Sequence, residues 1–185
     1  MAMAGRAAGA RPGDWRLRVV ESADIIDDRV CLDGLREVDV QQDVRSEAHL
    51  LRPFDILVTA RSQAVKVAMV PPQVTRTVAA ATLLVVRVPD PAAGLAHFLW
   101  YYLTSTRGRA EVASRLTATS LPTLSAKALG DVPFVAPPPA ELRRLAGLIE
   151  ASEAAYDAAL DAARIRHEVL RDAIVTRIAT QQRED

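Results

Sequence analysis

The sequence holds a single cysteine, Cys31, so no disulfide can form within it and a reducing, cytoplasmic setting is expected. Long apolar runs are missing too. None approaches the roughly 18 residues a membrane-crossing helix needs, so no membrane association is expected. The opening stretch 1–13 is rich in Ala, Gly and Arg but has no apolar segment, and it reads as a flexible tail, not a signal peptide. Histidine is scarce. His49, His97 and His167 stand alone, with no second ligand three or four residues away, which argues against a metal site. There is no G-x-S-x-G, no glycine-rich phosphate loop and no G-x-G-x-x-G. Pro89-Asp90 opens like a nuclease motif, but no acidic-x-Lys follows it. An Asn/Asp-Pro-Pro-aromatic motif, which an adenine methyltransferase would carry, is also absent. Asp24, Asp27 and Asp28 read as a solvated turn and not as a cation cluster. No catalytic residue, cofactor or metal is expected.

What is present is a chain half hydrophobic in composition, with 23 basic and 23 acidic residues, long enough for one domain and an appendage. Lys66 and Lys127 are the only lysines; every other basic residue is arginine. Overall neutrality gives no pointer to nucleic acid, yet the charge is uneven. Residues 41–135 carry ten basic and six acidic side chains, whereas 1–40 and 136–185 are each net acidic.

Periodicity divides the chain into an α+β domain and a helix. Apolar runs at Arg16–Val20, Ile56–Thr59, Val65–Val70 and Leu83–Val88 are spaced as strands, broken by turns rich in Pro, Asp and Ser. From residue 92 the period changes. Leu95, Phe98, Leu99, Tyr102 and Leu103 form a helical stripe, and Thr106 is placed to cap a second segment. Ser125 can cap a short helix ending at Gly130, Val132–Val135 reads as extended, and Pro137–Pro139 as a stiff hinge. Expected boundaries are a tail at 1–13, a mixed-sheet domain with packed helices at 14–136, and the hinge with a long helix at 137–181.

That helix carries a coiled-coil pattern. Leu142, Ile149, Tyr156, Ala163 and Leu170 recur every seven residues, with Ala146, Leu160 and Ile174 four residues after members of that row. Alternating steps of four and three over about five heptads are the spacing of helix pairing. The same register admits Glu153 and His167, two polar breaks in the seam.

The order of these segments resembles the specificity subunit of type I restriction-modification systems, in which a target recognition domain is followed by a spacer helix. The family pattern enters a strand through Leu-x-x-Gly-Asp-Ile-Leu-Val; here Leu51-Arg52-Pro53-Phe54-Asp55-Ile56-Leu57-Val58 stands in that place, with Phe54 where glycine is usual. The family's helical Tyr-Leu segment, followed by Leu-x-Ser-x-x-Gly, is similar to Tyr101-Tyr102-Leu103-Thr104-Ser105-Thr106-Arg107-Gly108. Thr119-Ser120 stands where that family has a Gly-Ser loop, and Leu124-Ser125 makes the following turn. Pro137-Pro138-Pro139-Ala140-Glu141-Leu142 stands for Pro-Pro-Leu-x-Glu-Gln, with Leu142 replacing glutamine. The likeness covers residues 17–181. Full-length members carry two recognition domains and two spacer helices, and this sequence has one of each.

The resemblance implies a non-catalytic subunit that reads double-stranded DNA and docks methyltransferase and restriction subunits through its helix. Base edges are read by Arg on guanine and Asn/Gln on adenine, while other basic and hydroxyl groups hold phosphates. On that basis three loops supply candidates. The first holds Arg61, Ser62, Gln63 and Lys66; the second holds Gln73, Thr75, Arg76 and Thr77; the third patch holds Arg107, Arg109, Arg115, Thr117, Thr119 and Ser120. All three are expected to converge on one groove. Helix pairing through Leu142, Ala146, Ile149, Tyr156, Leu160, Ala163, Leu170 and Ile174 is expected to give a homodimer with two recognition domains held apart. The alternative is a protein-interaction adaptor of the same fold in a phage-defence complex, without DNA reading.

Overall fold

A computed structural model of the chain describes residues 14–41, 47–62 and 64–184, with the side chains of 14, 41 and 178–184 left aside. The expected tail at 1–13 lies outside the described residues. The fold is α+β, with two mixed sheets and one long C-terminal helix. Among the described residues eight strands run in chain order: β1 Asp14–Val20, β2 Ile25–Ile26, β3 Arg29–Val30, β4 Arg36–Gln41, β5 Ile56–Thr59, β6 Val67–Met69, β7 Thr77–Ala79 and β8 Leu83–Val86. The helices are α1 Leu95–Thr104, α2 Thr106–Ala113, α3 Ala126–Gly130 and α4 Pro139–Glu184. One sheet has the order β4-β1-β7 and the other β2-β3-β6-β5-β8. In each, antiparallel ladders are joined by one parallel pairing, β1 with β7 and β3 with β6.

Strand β5 organises the interior. All four of its residues are buried, as expected for a central strand covered on both faces, which reads as an unbroken apolar run. Successive side chains point to opposite faces. Leu57, with Ala68 of β6, therefore joins a core that includes Val20, Ile25, Val70 and Leu83. Ile56 and Val58, with Val67, join a second core against Trp100 and Leu103 of α1, Val112 of α2 and Ile149 of α4.

The approach to β5 is a tight turn. Asp55 N–H donates to Arg52 C=O at 3.1 Å, Pro53 is the second residue and Phe54 the third, with φ 68°. Pro followed by a residue of positive φ is a type II turn, whose third position favours glycine. The buried Asp55 carboxylate closes the corner. It accepts Arg52 N–H at 2.8 Å, and Arg87 Nε and Nη2 at 2.8 and 2.6 Å. That hydrogen-bonded carboxylate raises the Arg87 pKa against the opposing effect of burial. Phe54 keeps its strained backbone while its ring lies 5.1 Å from that of His97. Replacing Phe54 by Gly or by Ala removes the ring equally, but only glycine relieves the backbone. Phe54→Gly is expected to be more stable than Phe54→Ala by about 1 kcal/mol in urea unfolding. Equal stabilities would place no strain at this turn.

Several expected boundaries shift. Ser105, not Thr106, caps α2, its Oγ accepting Gly108 N–H at 3.1 Å. Residues 132–135 join no strand; Tyr102 Oη instead donates to Pro133 C=O at 2.8 Å, and Phe134 stacks near Phe98 and Tyr102. Pro139 belongs to the helix, at a first position where its missing N–H costs nothing. Within α1 the buried residues are Ala96, His97, Trp100 and Leu103. The expected stripe of Leu95, Phe98, Leu99 and Tyr102 is only half-buried, because α4 covers a second side of this helix.

Candidate nucleic-acid interface

The first and third candidate loops meet. Arg61 pairs with Thr123 in an isolated bridge, Ser62 N–H donates to Pro122 C=O at 3.4 Å, and Leu124 N–H donates to Ala60 C=O at 2.8 Å. The 117–123 loop is braced internally. Thr117 Oγ1 accepts Thr123 N–H at 3.0 Å, and Thr119 Oγ1 donates to Leu121 C=O at 2.8 Å. Thr117, Thr119 and Ser120 are exposed, and so is Arg61. Arg61 and Arg107 have no side-chain partner among the described residues. Gln63 lies outside the described residues.

The second loop is elsewhere. Residues 60–66 join the C-terminal end of β5 to β6, whereas 71–76 leave the far end of β6. The two connections therefore sit at opposite ends of one hairpin, and the expected convergence of three loops is corrected to two. Thr75 accepts Arg18 Nη2 through both its carbonyl and its hydroxyl, at 3.1 and 3.2 Å. Arg76, with φ 44°, stacks 5.7 Å from the Trp15 ring centroid. Thr77 is not a loop residue; it begins β7, fully buried, with its hydroxyl donating to Thr75 C=O at 2.8 Å. Gln73 is exposed at the edge of a cleft of about 610 Å³ facing α4.

Three of the candidate cations are occupied within the protein. Lys66 Nζ donates to Ser22 and Ile25 C=O, each at 2.9 Å. Arg115 donates to Asp131 C=O at 3.1 Å and to Glu111 C=O at 2.7 Å. Arg109 donates to both carboxylate oxygens of Asp28 at 2.6 Å, and to Thr104 C=O at 2.8 Å. So the Asp24–Asp28 segment is not a merely solvated turn: Asp28 is half-buried and holds Arg109. The surface left open to a ligand is smaller than the sequence suggests. It comprises Arg61, Ser62, Thr117, Thr119 and Ser120, with Arg107 on α2.

Helix α4 divides the pairing seam in two. Leu142 and Ile149 are buried against the chain's own domain, and Ala146 lies against Gly94. His97, buried on α1, sets Nε2 2.9 Å from Glu150 Oε1; its Nδ1 has no partner among the described residues. Glu153, the polar break in the heptads, pairs with Arg29 at 2.6 Å, and Asp157 pairs with the same guanidinium. Burial pulls the Arg29 pKa down, but the hydrogen bonds to Asp157 and Glu153 outweigh it and the pKa is raised. From residue 158 to 177 every residue is exposed. Tyr156, Leu160, Leu170 and Ile174 are therefore 49–61% exposed, and Ala163 is exposed with them.

No family model and no curated protein matches this chain.

Among the described residues there is no group of His, Cys, Asp and Glu able to hold a metal, and no helix long and apolar enough to cross a membrane. Sequence reasoning missed the residues that meet α4, Gly94, Arg29 and Trp100. One signal was available. A charged residue inside a heptad seam needs a partner, and Glu153 has Arg29.

Proposed function

We propose that the chain is a non-catalytic DNA-recognition subunit of the type I restriction-modification kind, which pairs with a second copy through α4 and positions methyltransferase and restriction subunits on DNA in the cytoplasm. The observation that carries this reading is the division of α4. The domain grips it over Leu142–Asp157, and the rest extends beyond with an apolar row uncovered. At 1.5 Å per residue, 46 residues span about 69 Å, so the helix has the form of a ruler and not of a core element. Its second side also bears apolar residues. Ile165 lies nine residues after Tyr156, and Val169 nine after Leu160; nine residues are two and a half turns, which places Ile165 and Val169 opposite the seam. Both are exposed. A helix apolar on opposite sides suits a pairing partner on one and a docked subunit on the other, a coiled-coil arrangement of two α4 helices with methyltransferase seated outside.

The type II turn also favours the resemblance. The one residue of the Leu51–Val58 motif that departs from the family's glycine, Phe54, has the backbone conformation glycine adopts freely. Gly108, which matches the family glycine, stands where no side chain fits.

DNA binding is tested by charge removal. Each phosphate contact contributes about one counterion to the salt dependence of binding. Arg61→Ala and Arg107→Ala are each expected to weaken duplex binding and to reduce the slope of log K against log salt by about 1. Arg109→Ala and Lys66→Ala are expected to lower the melting temperature instead. Duplex binding unaffected by both Arg61→Ala and Arg107→Ala would move the reading to the adaptor of the same fold.

A further inference from the structure

The connection between β2 and β3 is the shortest a hairpin allows. Ile26 pairs with Arg29, and the two residues between them, Asp27 and Asp28, have φ of 47° and 63°. Positive φ at both central residues defines a type I′ turn, where Asn-Gly or Asp-Gly is the preferred pair. Asp28 thus occupies the position at which glycine is most favoured, and its side chain accounts for the exception. The Asp28 carboxylate binds Arg109 Nη2 of α2 through both oxygens. Its carbonyl accepts Trp100 Nε1 of α1 at 3.1 Å. The next residue, Arg29, reaches out of the sheet to Glu153 and Asp157 of α4. Four residues therefore tie three helices to one turn. Arg109 extends the chain of contacts further, its Nη1 lying 3.4 Å from Val65 C=O in the loop that carries Arg61 and Ser62.

We infer that this turn is a clamp that fixes the direction of α4 on the domain, with Asp28 and Arg29 as positioning residues. Apolar contacts alone do not set that direction. Leu142 and Ile149 are the buried apolar anchors of α4; with Ala146 against Gly94 and Glu150 beside His97 they hold only residues 142–150, and the helix outward of them is left to tilt. The ion pairs at Glu153 and Asp157 lie outward of both anchors, where a small displacement at the contact corresponds to a large one at the helix tip. Arg is suited to the task because its planar fork holds two carboxylates in fixed geometry. Glu153 and Asp157 are four residues apart and so share one helix face. The inference rests on α4 acting as a spacer, since only then does its direction set where a second domain lies.

The test measures direction without DNA. Spin labels at Glu37→Cys on β4 and Ala162→Cys on α4, in a Cys31→Ser background, report the distance between domain and free helix by pulsed electron resonance. Labelled chain is diluted with unlabelled chain so that only distances within one molecule are read. The parent should give one narrow distance distribution. Arg29→Ala is expected to broaden it at least about twofold, and Arg29→Glu combined with Glu153→Arg and Asp157→Arg to narrow it again. Asp28→Gly separates the clamp from the turn. Glycine suits the backbone but leaves Arg109 without its carboxylate, so the melting temperature is expected to fall as in Arg109→Ala; a purely local role predicts a narrow distribution in both variants, and the clamp predicts a broadened one in both. A distribution that stays narrow in Arg29→Ala, or a charge reversal that fails to restore it, would overturn the clamp. Failure to bind DNA would leave this result standing, so the two readings fail separately.

Discussion

Gly108→Ala is expected to destabilise the domain by about 3 kcal/mol in urea unfolding. Ser105 caps α2, and Gly108 sits three residues on, its N–H bonded to Ser105 Oγ. The capping serine draws the first turn of α2 hard against the last turn of α1. Ser105 Oγ donates to Tyr102 C=O at 2.6 Å, and Ser105 N–H reaches the same carbonyl at 3.1 Å. A methyl group at 108 would lie 2.0 Å from that Tyr102 oxygen and 2.9 Å from Leu103 Cα. Both obstacles are backbone, so no side chain can swing away; the two helices must part. Parting them opens the second core, to which α1 gives Trp100 and Leu103 and α2 gives Val112. Ser105→Ala provides the scale, because loss of a helix cap costs about 1 kcal/mol. A cost for Gly108→Ala no greater than that of the cap would mean the joint is loose.

A substitution of similar size at Gly94 should act on α4 and leave the sheets folded. Gly94 has φ 84°, and an added Cβ would stand 2.5 Å from Leu142 C=O and 3.0 Å from Ala146 Cβ. Glycine here meets two needs at once, a left-handed backbone before α1 and a bare surface on which the first turns of α4 rest. Gly94→Ala is expected to cost about 3 kcal/mol, with the loss of amide-exchange protection concentrated in residues 142–157. Gly147→Ala is the control. Nothing lies within 4 Å of a Cβ at Gly147, and removing a glycine from a helix interior should stabilise α4 by up to about 1 kcal/mol. Unchanged protection of 142–157 in Gly94→Ala would show that α4 is held by its ion pairs and not by this contact.

These two glycines also mark what could and could not be read from the sequence. Gly108 stood within a recognisable motif, but the reason only glycine fits is a backbone approach, which leaves no trace in hydrophobic pattern. The strands at Ile56–Thr59 and, two residues shorter than the expected Leu83–Val88, at Leu83–Val86 were legible because short β-branched apolar runs closed by turn residues meet few competing explanations. Strand β7 was not: three residues from Thr77 to Ala79 are strand only because β1 runs alongside. Strand β4 does carry an alternating pattern, Glu37-Val38-Asp39-Val40, and pairs with β1 along its length. Heptad spacing pointed to a long C-terminal helix, which α4 is, yet the same apolar row serves two ends. Leu142 and Ile149 meet the domain, while Leu170 and Ile174 meet nothing else among the described residues. Spacing reveals that a face is apolar, not what covers it. The candidate loops show a similar limit. Arg109 and Lys66 look like phosphate ligands by type and position, but each is turned inward to hold the 22–28 segment, a distinction that depends on tertiary contacts.

Selection of bound DNA from a pool of randomised duplexes tests the central claim most directly, because it asks about reading and pairing together. If two copies pair through α4, each holding a recognition domain at one end of a helix about 69 Å long, the enriched sequences should share two half-sites. Those half-sites should be inverted repeats of one another separated by a constant, unspecified gap, and truncation after residue 157 should leave a single half-site. Recovery of sequences with no common motif, or of a single half-site from the intact chain, would contradict the account.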